Sequence, residues 1–168
     1  TALENIVIIR IDDASISAIG RWPWSRDVHA RLLEKVKDAK AVGVDISFFE
    51  PSDNDTRLRE VVESMPNLVL ASEIQQGKFY TPIFNVSYGY VNLLTDRDGI
   101  TRRLSPALRS GVLPFAFQLY RYGWDASATF KDTPYLINLA SPGAFASVSA
   151  AEVLEKNLSF TGKFVLIG

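Results

Sequence analysis

The chain has 168 residues, 47% of them hydrophobic and 22% charged, enough apolar material for one domain with its own packed core. Its 18 basic and 19 acidic residues balance to −1 and form no long block of one sign, which argues against nucleic acid and anionic membrane as partners. There is no cysteine, so a thiol nucleophile, a cysteine-built zinc site and a disulfide are excluded.

No apolar stretch approaches the roughly 18 residues a membrane-spanning helix needs. Residues 6–9 form a short β-branched run, the composition of a strand buried on both faces. The run stops at Asp12 and Asp13 and gives way to a Ser/Ala/Gly-rich loop bearing Trp22, Pro23 and Trp24. Val28, Leu32, Leu33, Val36 and Ala39 then share one helix face, with Ser25 or Asp27 as cap. Residues 41–49 read as a second buried strand carrying Asp45, and the short return makes it parallel to the first. A polar loop over 50–55 leads into a helix marked by Leu58, Val61, Val62 and Met65, followed by a third strand over 68–74 and a turn over 75–78.

The middle of the chain changes in kind. Residues 88–94 and 100–108 flank a Thr-Asp-Arg-Asp-Gly linker and read as an antiparallel hairpin, with Pro106 marking a bend or an edge. A short helix follows over 114–123, then a weak strand over 135–139 broken by Ser141-Pro142-Gly143. Ser149 and Glu152 have capping-box spacing for a helix to about Lys156, and residues 164–167 close the chain as a strand. The fold class is α/β: a mostly parallel sheet covered by helices, with an inserted antiparallel hairpin.

The chemistry-bearing residues gather near strand ends, where open α/β sheets bind ligands. Asp12, Asp13, Asp45, Glu50, Asp53 and Asp55 repel one another unless a cation joins them, and Arg26 or a Mg²⁺ or Ca²⁺ ion would serve. The structural alternative is that Asp53 and Asp55 cap a helix while Asp12 or Asp45 pairs with Arg26. Trp22 and Trp24 are either a ligand platform or a lid folded over the sheet. Asp96 to Gly99 resembles part of a calcium loop, but Ala107 stands where its closing glutamate would be, so a turn is expected. His29, the one histidine, has no nucleophile motif beside it and is expected on the exposed face of its helix. A phosphatase-type nucleophilic Asp needs alternate positions after the strand, whereas Asp12 and Asp13 are adjacent.

Taken in order, these motifs resemble the type-two CHASE (cyclase/histidine-kinase-associated sensory extracellular) domain. The resemblance rests on the Asp-Asp-x-Ser strand end at Asp12 to Ser15, the Trp-Pro-Trp-x-Arg loop ending at Arg26, and Asp45 followed by Glu50-Pro51 and spaced Asp residues. The Asp96-x-Asp98-Gly99 turn before arginine and the closing Gly162-Lys163-x-Val165-Leu166-Ile167-Gly168 strand complete it, over nearly the whole chain. The resemblance implies one sensor domain over residues 1–168, lying on the periplasmic or extracellular side of a bacterial cytoplasmic membrane and excised from a longer receptor. It implies covalently attached transmembrane helices and a cytoplasmic cyclase or kinase, no cofactor and no catalytic activity of its own. Family members usually continue past the Gly-terminated last strand, while this sequence stops at Gly168.

The expected role is binding of an unidentified small ligand at a mouth formed by Asp12, Asp13, Ser15, Trp22, Trp24, Arg26, Asp45 and Asp55, in a homodimeric receptor. A ligand-free dimerisation module is the alternative. A metal-dependent hydrolase is a third reading, and it requires three carboxylates within reach of one ion.

Overall fold

The short apolar runs of the sequence become the strands of a sheet whose ends position the site. In the computed structural model, residues 2–104, 111–131, 133, 135–137, 140–141 and 143–168 are described. A 3-10 turn (Ala2–Asn5) leads into β1 (Ile6–Arg10), α1 (Asp13–Ile19), α2 (Arg26–Val36), β2 (Ala41–Val44) and α3 (Asp55–Glu63). Next come β3 (Leu68–Gln75), β4 (Lys78–Tyr80), β5 (Ser87–Tyr90), β6 (Leu94–Thr95) and β7 (Thr101–Leu104). The chain continues through α4 (Phe115–Gly123), β8 (Tyr135–Leu136), β9 (Ala146–Ser149), α5 (Ala150–Glu155) and β10 (Phe164–Ile167).

The main sheet runs β4-β3-β2-β10-β1-β9, with β5 also on β3, and β4 is its one antiparallel member. The architecture is thus the α/β arrangement expected. Strands β1 and β2 are parallel but not neighbours. The C-terminal strand β10 lies between them, pairing Ile9 with Ile167 on one side and Ile167 with Val44 on the other. Its all-apolar Phe-Val-Leu-Ile sequence suits a central position with both edges paired. Two strands had no clear sequence signal. The β9 strand, Ala-Ser-Val-Ser, sits at an edge, and β4 has only three residues.

The expected hairpin divides between two sheets. Residues 87–90 join the main sheet as β5, parallel to β3, while β6 and β7 pair antiparallel and continue into β8. Residues 105–108 of that hairpin, and 138 and 139 of the weak strand, lie outside the described residues.

Helices α2, α3 and α5 bury Leu32, Leu33, Leu58, Val62 and Val153 with Ile9, Val44, Val165 and Ile167 in the principal core. The other face carries α4, whose Leu119 packs with Ala41 and Val69. There α4 reaches β5 only because position 89 is glycine. A Cβ at Gly89 would lie 2.5 Å from Cα of Phe115 and 2.7 Å from its backbone nitrogen. Backbone cannot swing aside as a side chain can. Gly89→Ala is therefore expected to lower the unfolding free energy by about 1–3 kcal/mol in urea titration. A change under about 0.5 kcal/mol would show that α4 does not seat there.

Candidate functional site

Three neighbouring parallel strands end at one edge, and the residue following each becomes the floor of a cleft. Ile11 follows β1, Gly168 follows β10 and Asp45 follows β2. The strand ends are tied together, with Ile11 N donating to Gly168 O at 3.0 Å, Gly168 N to Ile9 O at 3.2 Å and Asp45 N to Ile167 O at 2.9 Å. The cleft, ≈ 620 Å³, is walled by Ile16, Trp22, Pro23, Trp24, Arg26, His29, Ile46, Ser47 and Phe48. A second hollow of ≈ 520 Å³ shares Pro23, Trp24, Arg26 and Ser47 and extends towards Tyr80 and Gln75.

Of the eight residues expected at this mouth, Trp22, Trp24, Arg26 and Asp45 line the cleft, and Asp12, Asp13, Ser15 and Asp55 do not. The reason begins at residue 12. The segment after β1, expected as a loop, is the helix α1, and Asp12 caps it. Asp12 Oδ1 accepts from Ser15 N at 3.0 Å, from Ser15 Oγ at 2.8 Å and from Ser149 Oγ at 2.8 Å. Those hydrogen bonds, led by the Ser15 hydroxyl, and the Arg10 guanidinium 3.5 Å away hold the Asp12 carboxyl down at about 2. Ser15 is fully buried, and its Oγ also accepts from Ala151 N at 3.2 Å, in the first turn of α5. The capping box expected at Ser149 is thus replaced. Ser149 makes no side-chain cap bond, and Ser15 from another helix supplies one. Asp13 is exposed in the first turn of α1, where a carboxylate favours the helix dipole.

Arg26 opens α2 and pairs with Asp55, not with Asp12 or Asp45. Its Nε donates to Asp55 Oδ1 at 2.9 Å and its Nη2 to Glu50 O at 2.8 Å, while its guanidinium lies 4.8 Å from the Phe48 ring centre. Asp55 Oδ2 in turn accepts from Ser52 N at 2.8 Å. This set pins the 50–55 loop against α2. Among the described residues no group of three or more His, Asp or Glu side chains could hold a metal ion, so the carboxylate triad that a hydrolase requires is not assembled.

The two tryptophans differ in exposure. Trp24 is a core residue, 7% exposed, and its indole N–H donates to Gly20 O at 2.8 Å. Trp22 is 38% exposed and stands edge-to-face against Trp24 at 5.4 Å and His29 at 5.7 Å. His29 corrects the expectation of an exposed residue. It is buried between these rings and Phe48, 5.2 Å away, because offsets of three and four put it on the inward face with Leu32 and Leu33. Burial, assisted by the Arg26 charge, pushes its pKa down to about 4, so the ring is neutral at physiological pH.

Asp45 differs from the other acids. Among the described residues its side chain has no hydrogen bond or ion pair, and its carboxyl reaches solvent at the cleft. Crowding by the surrounding protein, with the Glu73 carboxylate nearby, raises its pKa. Sequence reasoning missed Ile11, Ile16, Ser47, Phe48 and Gly168 as lining residues. Ile11, Ile16 and Gly168 lie directly after, or a few residues beyond, an expected strand, whereas Ser47 and Phe48 fall inside the strand expected over 41–49, which ends at Val44.

The CHASE2 domain family model matches residues 1–168. A search of the curated proteins finds no match, and a search of the solved structures finds none.

The two depressed groups set a pH profile of stability. The unfolded chain protonates His29 near pH 6.5 and the folded chain only near 4, so stability is full above about 6.5 and falls as pH drops to about 4. The loss over that window is roughly 3 kcal/mol. Asp12, at 3.8 unfolded and about 2 folded, then withdraws its contribution as pH falls from about 4 through 2. Urea titrations across pH are expected to show both windows, and His29→Phe is expected to flatten the first alone. An unchanged slope in that variant would place the histidine elsewhere. Arg26→Ala is expected to cost about 2–4 kcal/mol, with Arg26→Lys intermediate because the fork that holds Asp55 and Glu50 is lost. A cost under about 0.5 kcal/mol for the alanine variant would show a solvent-facing residue.

Proposed function

The chain belongs to the CHASE2 family, whose members are extracellular sensory domains of signalling receptors, and from that premise we propose that its strand-end cleft binds a small molecule. Occupancy biases a cytoplasmic cyclase or kinase, joined to the domain by transmembrane helices in a bacterial receptor whose sensor faces the periplasm or the exterior. No helix among the described residues is long and apolar enough to cross a membrane. The domain performs no catalysis in this reading. Its output depends on binding one conformation better than another, since a ligand shifts an equilibrium only by its differential affinity.

The observation that carries the proposal is the cleft itself. It combines a rigid floor of three hydrogen-bonded strand ends, an aromatic wall and one uncommitted carboxylate, in a volume suited to a metabolite. A second reading, homodimerisation without a ligand, is favoured by the opposite face. There Tyr120 and Trp124, 42% and 57% exposed, border an apolar groove of ≈ 460 Å³ with Phe164 and Leu166.

A thermal-shift screen against a metabolite panel tests the first reading. A ligand at 100 times its Kd adds about 2.7 kcal/mol, which for this size raises Tm by roughly 5–10 °C. The shift is expected to vanish in Trp22→Ala or Asp45→Asn. Silence from the whole panel, together with a Tm that rises with protein concentration, would favour the dimer.

A further inference from the structure

The cleft's ligand is, we propose, a small organic cation, with its ammonium group held by the Asp45 carboxylate against the exposed ring of Trp22. The inference rests on the ligand-binding reading and specifies the chemistry of the same site. It begins from the charges around the cleft. Arg26, the cation in the wall, is already met by Asp55 at 2.9 Å and by Glu50 O at 2.8 Å. His29 is buried among aromatic rings and neutral at physiological pH. That leaves Asp45 without a counter-charge among the described residues, with Glu73 adding a second negative charge in its neighbourhood. A neutral or anionic ligand would leave this carboxylate uncompensated, and an ammonium group neutralises it.

The aromatic wall has the same preference. Ring faces attract cations through their quadrupole, most strongly for indole. Phe48 already shows the effect, with the Arg26 guanidinium 4.8 Å from its centre. Trp22 is held edge-to-face by Trp24 and His29, yet 38% of its surface is open. An inorganic ion would not fit. One carboxylate is too few oxygen ligands, and no group of three metal-ligating side chains exists among the described residues. A cleft of ≈ 620 Å³ holds an organic body behind the charged head.

The test uses probes of one shape and three charges: n-butylammonium, n-butanol and butyrate, with tetramethylammonium as a quaternary head. Binding is read by tryptophan fluorescence and by calorimetry. The ammonium probes are expected to bind at least about tenfold more tightly than butanol, and butyrate more weakly still. Asp45→Asn is expected to abolish the preference while keeping the wild-type Tm, since its side chain has no partner to lose. Trp22→Leu is expected to weaken the ammonium probes, and Glu155→Gln, on the exposed side of α5, to leave them unchanged. Equal or tighter binding of butanol or butyrate would overturn the cation while keeping the cleft as a ligand site. Silence from the ammonium probes at millimolar concentration would also overturn it. The broader reading falls only if the full metabolite panel is silent as well.

Discussion

The hydrogen bonding of β10 between β1 and β2 is the constraint on which the rest depends. It brings the two ends of the chain into one sheet, and it sets Ile11, Gly168 and Asp45 side by side at one edge. Because all three strands are parallel, their carboxyl ends open in the same direction, where ligands of open α/β sheets collect. Val165 and Ile167 of β10 also face the principal core, so the strand that builds the floor of the cleft anchors the helices above it. Disturbing that strand would therefore act on the core and on the cleft together, which is the coupling a sensor requires.

Above the floor, the acidic residues sort by whether their lone pairs are already used. Asp12 accepts three hydrogen bonds and ties α1 to α5 through Ser15 and Ser149. Asp55 holds Arg26 and the Ser52 amide. Those carboxylates contribute rigidity and have little left for a ligand. Asp45, one residue past β2, is in neither network. For the proposed binding site, a saturated frame around one unsatisfied group is pre-organisation: the frame resists collapse onto the group that the ligand would need.

Much of this was legible in the residues. The apolar runs gave the central strands, offsets of three and four gave α2 and α3, and the Trp-Pro-Trp-x-Arg stretch pointed to the loop that walls the cleft. Pairing order was not legible, because nothing in Phe-Val-Leu-Ile says which strands it will separate. Nor was α1. Seven residues that include two serines and two alanines carry weak periodicity, and the helix is set by the Asp12 cap and by packing against α5. That single helix explains why Asp12 and Ser15, placed in the mouth from sequence, belong to the framework. His29 escaped because a polar residue on an apolar helix face reads as a boundary, and only the surrounding rings of Trp24 and Phe48 make burial of a neutral imidazole favourable.

In the proposed function, ligands enter at the strand-end edge and not at the apolar face across the sheet. The chain's three tryptophans separate these directly, since Trp22 and Trp24 wall the cleft while Trp124 borders the opposite groove. Assigned indole N–H resonances in a nitrogen-15 spectrum, followed during titration with any compound that raises Tm, would report each place by itself. The Trp22 and Trp24 signals are expected to move and that of Trp124 to stay. Movement of Trp124 alone would contradict the proposed function and place the working surface on the other side of the sheet.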